Sequence, residues 1–197
     1  MAAKEVKTED ETRKPVIEAW KATEVRLGKS KGCDAIDKEV KRLKDAGMTP
    51  ETAICISLAT DHIHVMEALA PLLNTAQLLE VSVQASGGIK LIAQEQLLLR
   101  ADFVEKDALG MLMKGKIQHI LTGKVFERLD DSQLQEVLKD SDKIAKKLSF
   151  SVETVKAEAF RAVKDANLLA IHLVGEQDSS MQDIIKTRIK TLDKEGK

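Results

Sequence analysis

The sequence predicts an all-α fold: a bundle of about seven or eight helices around an apolar central helix pair kinked at Pro71. Three observations carry that reading. Aliphatic residues recur at spacings of three and four along most of the 197 residues. Ten Gly and three Pro are too few for a chain of many short strands and tight turns. The one stretch that alternates like a strand, Leu79-Glu80-Val81-Ser82-Val83, is short and follows good helix formers.

Helix punctuation orders the elements. Pro15 stands where a first helical position belongs, ahead of Val16, Trp20 and Leu27 at helical spacing. Ile36, Val40 and Leu43 form a second stripe, and Gly47 marks its end. Thr49-Pro50-Glu51 supplies a cap, a first-turn proline and an acid for the next helix. Helical residues then run to about Ser86, broken or kinked at Pro71, whose ring clashes with the preceding turn. Gly87-Gly88 is the clearest helix–helix turn. Asp102 and Glu105 read as a capping box for a helix ending near Gly123. Ser132 to Leu148 keeps Leu134, Val137, Leu138, Ile144 and Leu148 on one helical face. Ser151 caps a further stretch, Val152 to Val174, closed by Gly175, and Met181, Ile184, Ile185, Ile189 and Leu192 make a last amphipathic piece.

Charge divides the chain into three parts. Residues 1–47 hold 22 charged residues and residues 100–197 hold 35, while Met48 to Leu99 hold six. A segment so apolar needs cover on most faces, so both flanking segments are expected to pack on it. The six charges interrupt any run near the roughly 18 apolar residues of a membrane span, so no span is expected. The expected organisation is a single helical domain, 1–197, with a possible division into a core of residues 1–123 and a C-terminal hairpin region of residues 124–197. The charged N-terminus MAAKEVKTEDETRK has no apolar core and does not read as a signal peptide. With a net charge of −1 and two cysteines, the chain reads as cytoplasmic, with no global preference for nucleic acid or anionic membrane.

Candidate chemistry is sparse. Asp61, His62, His64 and Glu67 lie close together on one predicted helix, but His62 and His64 are about 200° apart around its axis and cannot serve one metal. His119 and His172 have no acidic partner on the preceding turn, so the histidines are expected to be buried or half-buried polar residues hydrogen-bonded to neighbouring carboxylates, with no metal and no cofactor. Cys55, in Ala53-Ile54-Cys55-Ile56, should be buried and inert, whereas Cys33 follows Lys29, Lys31 and Gly32 and should be exposed. The absence of Tyr argues against a stacking site for bases, flavins or sugars. No catalytic constellation is present in the sequence, so no catalytic residue is assigned.

One local motif stands apart. Residues 142–156, DKIAKKLSFSVETVK, are followed by Phe160-Arg161-Ala162. Ile144, Ala145 and Leu148 face inward from one helix, Ser149-Phe150 turns the chain, and Ser151 caps a second helix with inward Val155. Over residues 142–164 this resembles the helix-turn-helix of LuxR-type regulators and of the fourth region of bacterial sigma factors, with Ser149 where those families usually carry Gly. The resemblance implies that Thr154 and Lys156 face the major groove or its phosphates, with Arg161 on the backbone. Residues 131–165 carry seven acids and seven bases, with no local basic excess.

The function expected first is non-enzymatic: helix-mediated protein–protein association, as a homo-oligomer or with a protein partner. A dimeric DNA-binding regulator using residues 142–164 is the alternative, and a small helical enzyme or cofactor binder with an unrecognised site is the second alternative. The apolar surplus of Met48–Leu99 predicts aliphatic patches at an interface, with the arm of residues 1–14 or the C-terminal helix packed across it.

Overall fold

A computed structural model describes residues 9–195, which form thirteen α-helices, two short 3-10 turns and no strand among the described residues. They fall into two compact units divided after Arg100. Residues 101–123 therefore count with the C-terminal unit and not with the first 100, because the helix they contain packs on the helices that follow it.

The N-terminal unit contains α1 (Glu9–Lys31), α2 (Cys33–Asp45), α3 (Pro50–Ala59), α4 (Ile63–Leu69), α5 (Thr75–Gln84) and α6 (Gly87–Leu98). Here α1 packs on α3, α2 on α4, and α5 on α6, so the apolar segment from Met48 shares its core with the charged residues before it. Trp20, Ile36, Ile54, Ile56, Met66, Leu69, Leu78 and Leu97 are all buried. Arg13 ties three helices together: its buried guanidinium donates to Glu51 of α3 and Glu80 of α5. Those two hydrogen bonds, that to Glu80 first, hold it protonated well above the ordinary arginine range.

The C-terminal unit contains α7 (Glu105–Met113), α8 (Thr122–Arg128), α9 (Asp131–Lys139), α10 (Ser141–Leu148), α11 (Val152–Ala162), α12 (Ala166–Gly175) and α13 (Ser179–Glu195). The hub is α11, packed on α8, α9, α10 and α13. Its buried Val155, Ala159 and Phe160 meet a core that includes Phe126, Leu134, Val137, Ile144 and Leu148.

Several expected helices are subdivided, which is why there are thirteen and not seven or eight. Pro15 lies inside α1, which already runs from Glu9. Pro71 does not kink one continuous helix. It sits in the middle of a 3-10 turn, Ala70–Leu72, after which Asn74 begins α5 with a reciprocal capping box to Gln77. The break between α3 and α4 falls at Thr60-Asp61-His62, so Asp61 and His62 stand outside the helix that carries His64 and Glu67. The expected box at Asp102 and Glu105 does not form: Val104 is the N-cap of α7, with no side-chain cap. That helix stops at Met113, ahead of Gly115 at φ 64. The stretch from Ser132 to Leu148 is two helices, because Asp140 interrupts it. The stretch from Val152 to Val174 is also two. Val163 turns extended (φ −58, ψ 135), Lys164 N donates to Asp131 Oδ1 at 2.8 Å, and Asp165 caps α12 through Asn167 N.

The expected signals at Thr49 and Gly47 hold: Thr49 Oγ1 accepts from Thr52 N at 3.2 Å, and Gly47 takes φ 84. No helix among the described residues is long and apolar enough to cross a membrane. Of the arm of residues 1–14, residues 1–8 lie outside the described residues.

Candidate functional site

The helical hairpin of residues 141–162 is built from local signals. The eight-residue α10 puts Ile144, Ala145 and Leu148 inward and Asp142, Lys143, Lys146 and Lys147 outward. Ser149 ends it in the left-handed conformation, φ 56 and ψ 38, the backbone state that a glycine at this position of the turn would also supply. Phe150 N donates to Ala145 O at 2.9 Å, closing the turn. Ser151 caps α11, its Oγ accepting from Thr154 N at 3.1 Å and pairing with Thr154 Oγ1 at 3.0 Å.

Thr154, Lys156 and Arg161 are not on one face. Thr154 and Arg161 are exposed and lie within about 20° of each other around the helix, while Lys156 is about 200° from Thr154. Arg161 is paired with Glu158 one turn back and lines a concavity with Asp183, Ile184 and Arg188 of α13. Lys156 is half-buried and lines a different groove, of about 780 Å³, between α9, α11 and α12.

That groove has an apolar floor, Leu138, Phe160 and Leu168, with Ile171 and His172 on its α12 side. Phe160 is 3% exposed, and its ring meets that of His172 edge-on at 5.4 Å. Its rim carries both signs, Lys139 and Lys156 against Glu136 and Glu176. Two carboxylates outside the groove lining also feel Lys156. Glu153 is lowered from the ordinary glutamate range by its own backbone N–H and the Ser151 hydroxyl, with Lys156 adding to the effect. Asp178 is lowered first by the Ser180 hydroxyl and then by backbone N–H groups, again with a contribution from Lys156.

The unexpected feature is α12. Ala166–Gly175 contains no Asp, Glu, Lys or Arg, yet only Leu168 and Leu169 are buried. Ile171 is 71% exposed and Val174 90% exposed, leaving an aliphatic stripe in solvent beside the groove.

In the N-terminal unit, His62 and His64 approach each other with ring centroids 5.2 Å apart. His64 Nε2 lies 3.0 Å from Asp37 Oδ1, near enough for an ion pair when the ring is protonated but out of alignment for a hydrogen bond. Among the described residues, no group of three or more His, Cys, Asp and Glu is placed to hold a metal ion. His172 belongs to the α12 groove. Cys55 is buried, and desolvation raises its thiol above the ordinary cysteine range, so it has no thiolate to offer. Cys33 is exposed.

Compared with protein-family models, with curated proteins and with solved structures, the chain shows no match.

Proposed function

We propose that the protein is non-enzymatic and works by helix-mediated association with another protein chain through the α9, α11 and α12 face of its C-terminal unit. The exposed aliphatic stripe of α12 carries the reading. Two large aliphatic side chains standing almost free in water, on a helix with no Asp, Glu, Lys or Arg, cost hydration free energy that a covering surface recovers at about 25 cal/mol per Å² of apolar area. The adjoining groove supplies an apolar floor and a polar rim, the anatomy of a protein interface. The test is a photo-cross-linking amino acid at position 174 of the full chain, expressed in the cells that make it. Capture of a protein chain at position 174 and not at exposed position 146 is the expected result. No capture at either position would refute association through this face.

A second reading, DNA binding by residues 142–164, rests on the left-handed Ser149 between α10 and the Ser151-capped α11, with Thr154 and Arg161 exposed. Its test is a DNA shift assay at low salt. Lys156→Ala should weaken binding across all sequences and lower the salt slope by about one ion if Lys156 meets phosphate. Absence of any binding at low salt removes this reading.

A further inference from the structure

Resting on the association reading, we infer that the chain covering this face is a second copy of the same protein, paired through α12 across a two-fold axis. A two-fold contact uses one patch twice, so the patch must suit itself, and three features of α12 and its surroundings do so.

The helix carries no Asp, Glu, Lys or Arg from Ala166 to Gly175, and His172 is its one titratable side chain. It offers no acid, lysine or arginine to a charged partner, and two copies set against each other meet no repulsion between such groups along the stripe. Its exposed residues, Asn167, Ala170, Ile171 and Val174, follow i, i+3, i+4 and i+7 and form one stripe along the helix. Antiparallel pairing about the point between Ala170 and Ile171 sets Asn167 of one copy level with Val174 of the other, and the small alanine side chains let the backbones approach near the axis.

Charge around the groove completes the case. Lys139 and Lys156 stand on the same rim as Glu136 and Glu176. An acidic or a basic partner would meet attraction and repulsion in equal number, whereas a second copy can set each lysine toward a carboxylate.

The experiment uses the full chain. Sedimentation equilibrium of the purified protein should show a monomer–dimer equilibrium at micromolar concentration. Val174→Lys, at a position too exposed to disturb folding, should weaken it by at least about tenfold with an unchanged circular dichroism spectrum. Ala170→Cys in a Cys33→Ser background should give a covalent dimer under mild oxidation, because a disulfide needs Cα atoms within about 7 Å. Val25→Cys in the same background, also exposed, should not. A dimer unaffected by Val174→Lys and not trapped by Ala170→Cys would overturn the α12 interface. A purified chain that stays monomeric, while the cross-linker at position 174 captures a different protein, would overturn self-pairing and leave association standing. No capture of any chain would overturn both.

Discussion

Leu69→Ala tests the core of the N-terminal unit most directly. Leu69 ends α4 and is fully buried, immediately before the 3-10 turn that holds Pro71. Truncation deletes three carbons, worth about 0.8 kcal/mol each in transfer free energy, or roughly 2.4 kcal/mol before any cavity is counted. The site has little freedom to collapse onto the gap. Lys44 Nζ holds the Ala68 carbonyl at 2.9 Å, and the Arg100 guanidinium holds the carbonyls of Ala70 and Leu73 at 3.2 and 2.9 Å. A backbone tethered on both sides keeps most of the cavity, so the cost should fall at about 3–5 kcal/mol, the upper part of the Leu→Ala range. Urea denaturation followed by fluorescence is the assay, since Trp20 is the one tryptophan of the chain and is buried in this same unit. Leu99→Ala, at 77% exposure, is the control and should change stability by less than about 0.5 kcal/mol. A loss below about 0.5 kcal/mol for Leu69→Ala, or an equal loss for both variants, would refute the reasoning.

Three further outcomes are expected in the C-terminal unit. Gly115→Ala should cost about 1–3 kcal/mol in denaturant titration: its φ is 64, and an added Cβ would stand 2.9 Å from Lys147 Cβ and 3.1 Å from Lys147 O, atoms that cannot swing aside. Ser149→Gly should raise stability by about 0.5–1 kcal/mol, because glycine holds φ 56 without a Cβ clash; a loss would mean that the hydroxyl has a role of its own. Asp178 caps α13 through Ser180 N, Ser180 Oγ and Met181 N, and its folded pKa is depressed. Its contribution is therefore present above the ordinary aspartate range and lost as pH falls through the lowered folded value. Asp178→Asn should flatten that part of the acid limb in thermal melts across pH, and an unchanged acid limb would refute it.

The helical class was legible because most stripes are one-sided: Ile36 and Val40, or Leu134 and Val137, leave a charged opposite face that leads to solvent. Caps were legible where a side chain competes locally, as at Thr49 and Ser151. Helix ends set by long-range partners were not. The break at Val163-Lys164-Asp165 depends in part on Asp131, 33 residues away, receiving Lys164 N. The breaks at His62 and Asp140 carry no Gly or Pro, so a periodic apolar pattern runs straight across them. The boundary after Arg100 was illegible for a related reason: charge density changes near there, but which neighbour a helix packs on is not written in its own composition.

The candidate site was hidden by the same apolarity that makes it one. The stretch Ala166–Gly175 reads as a helix hydrophobic all round, and such a helix is ordinarily covered on every face. Only the fold shows that α13 packs along one side of it, with Phe160 of α11 against His172, and that Ile171 and Val174 are left out. The same geometry sets the two functional readings against each other at one residue. Lys156 shares its groove with Ile171 of α12, on the far side of α11 from Thr154 and Arg161. If a second copy covers that groove, Lys156 is enclosed with it, and any contact with DNA must come from the Thr154 and Arg161 face alone. If Lys156 instead meets phosphate, the groove must stay open, with Ile171 in solvent beside the nucleic acid. Ionic strength separates the cases: an interface with an aliphatic seam keeps most of its strength as salt rises, whereas phosphate contacts weaken linearly in log–log terms.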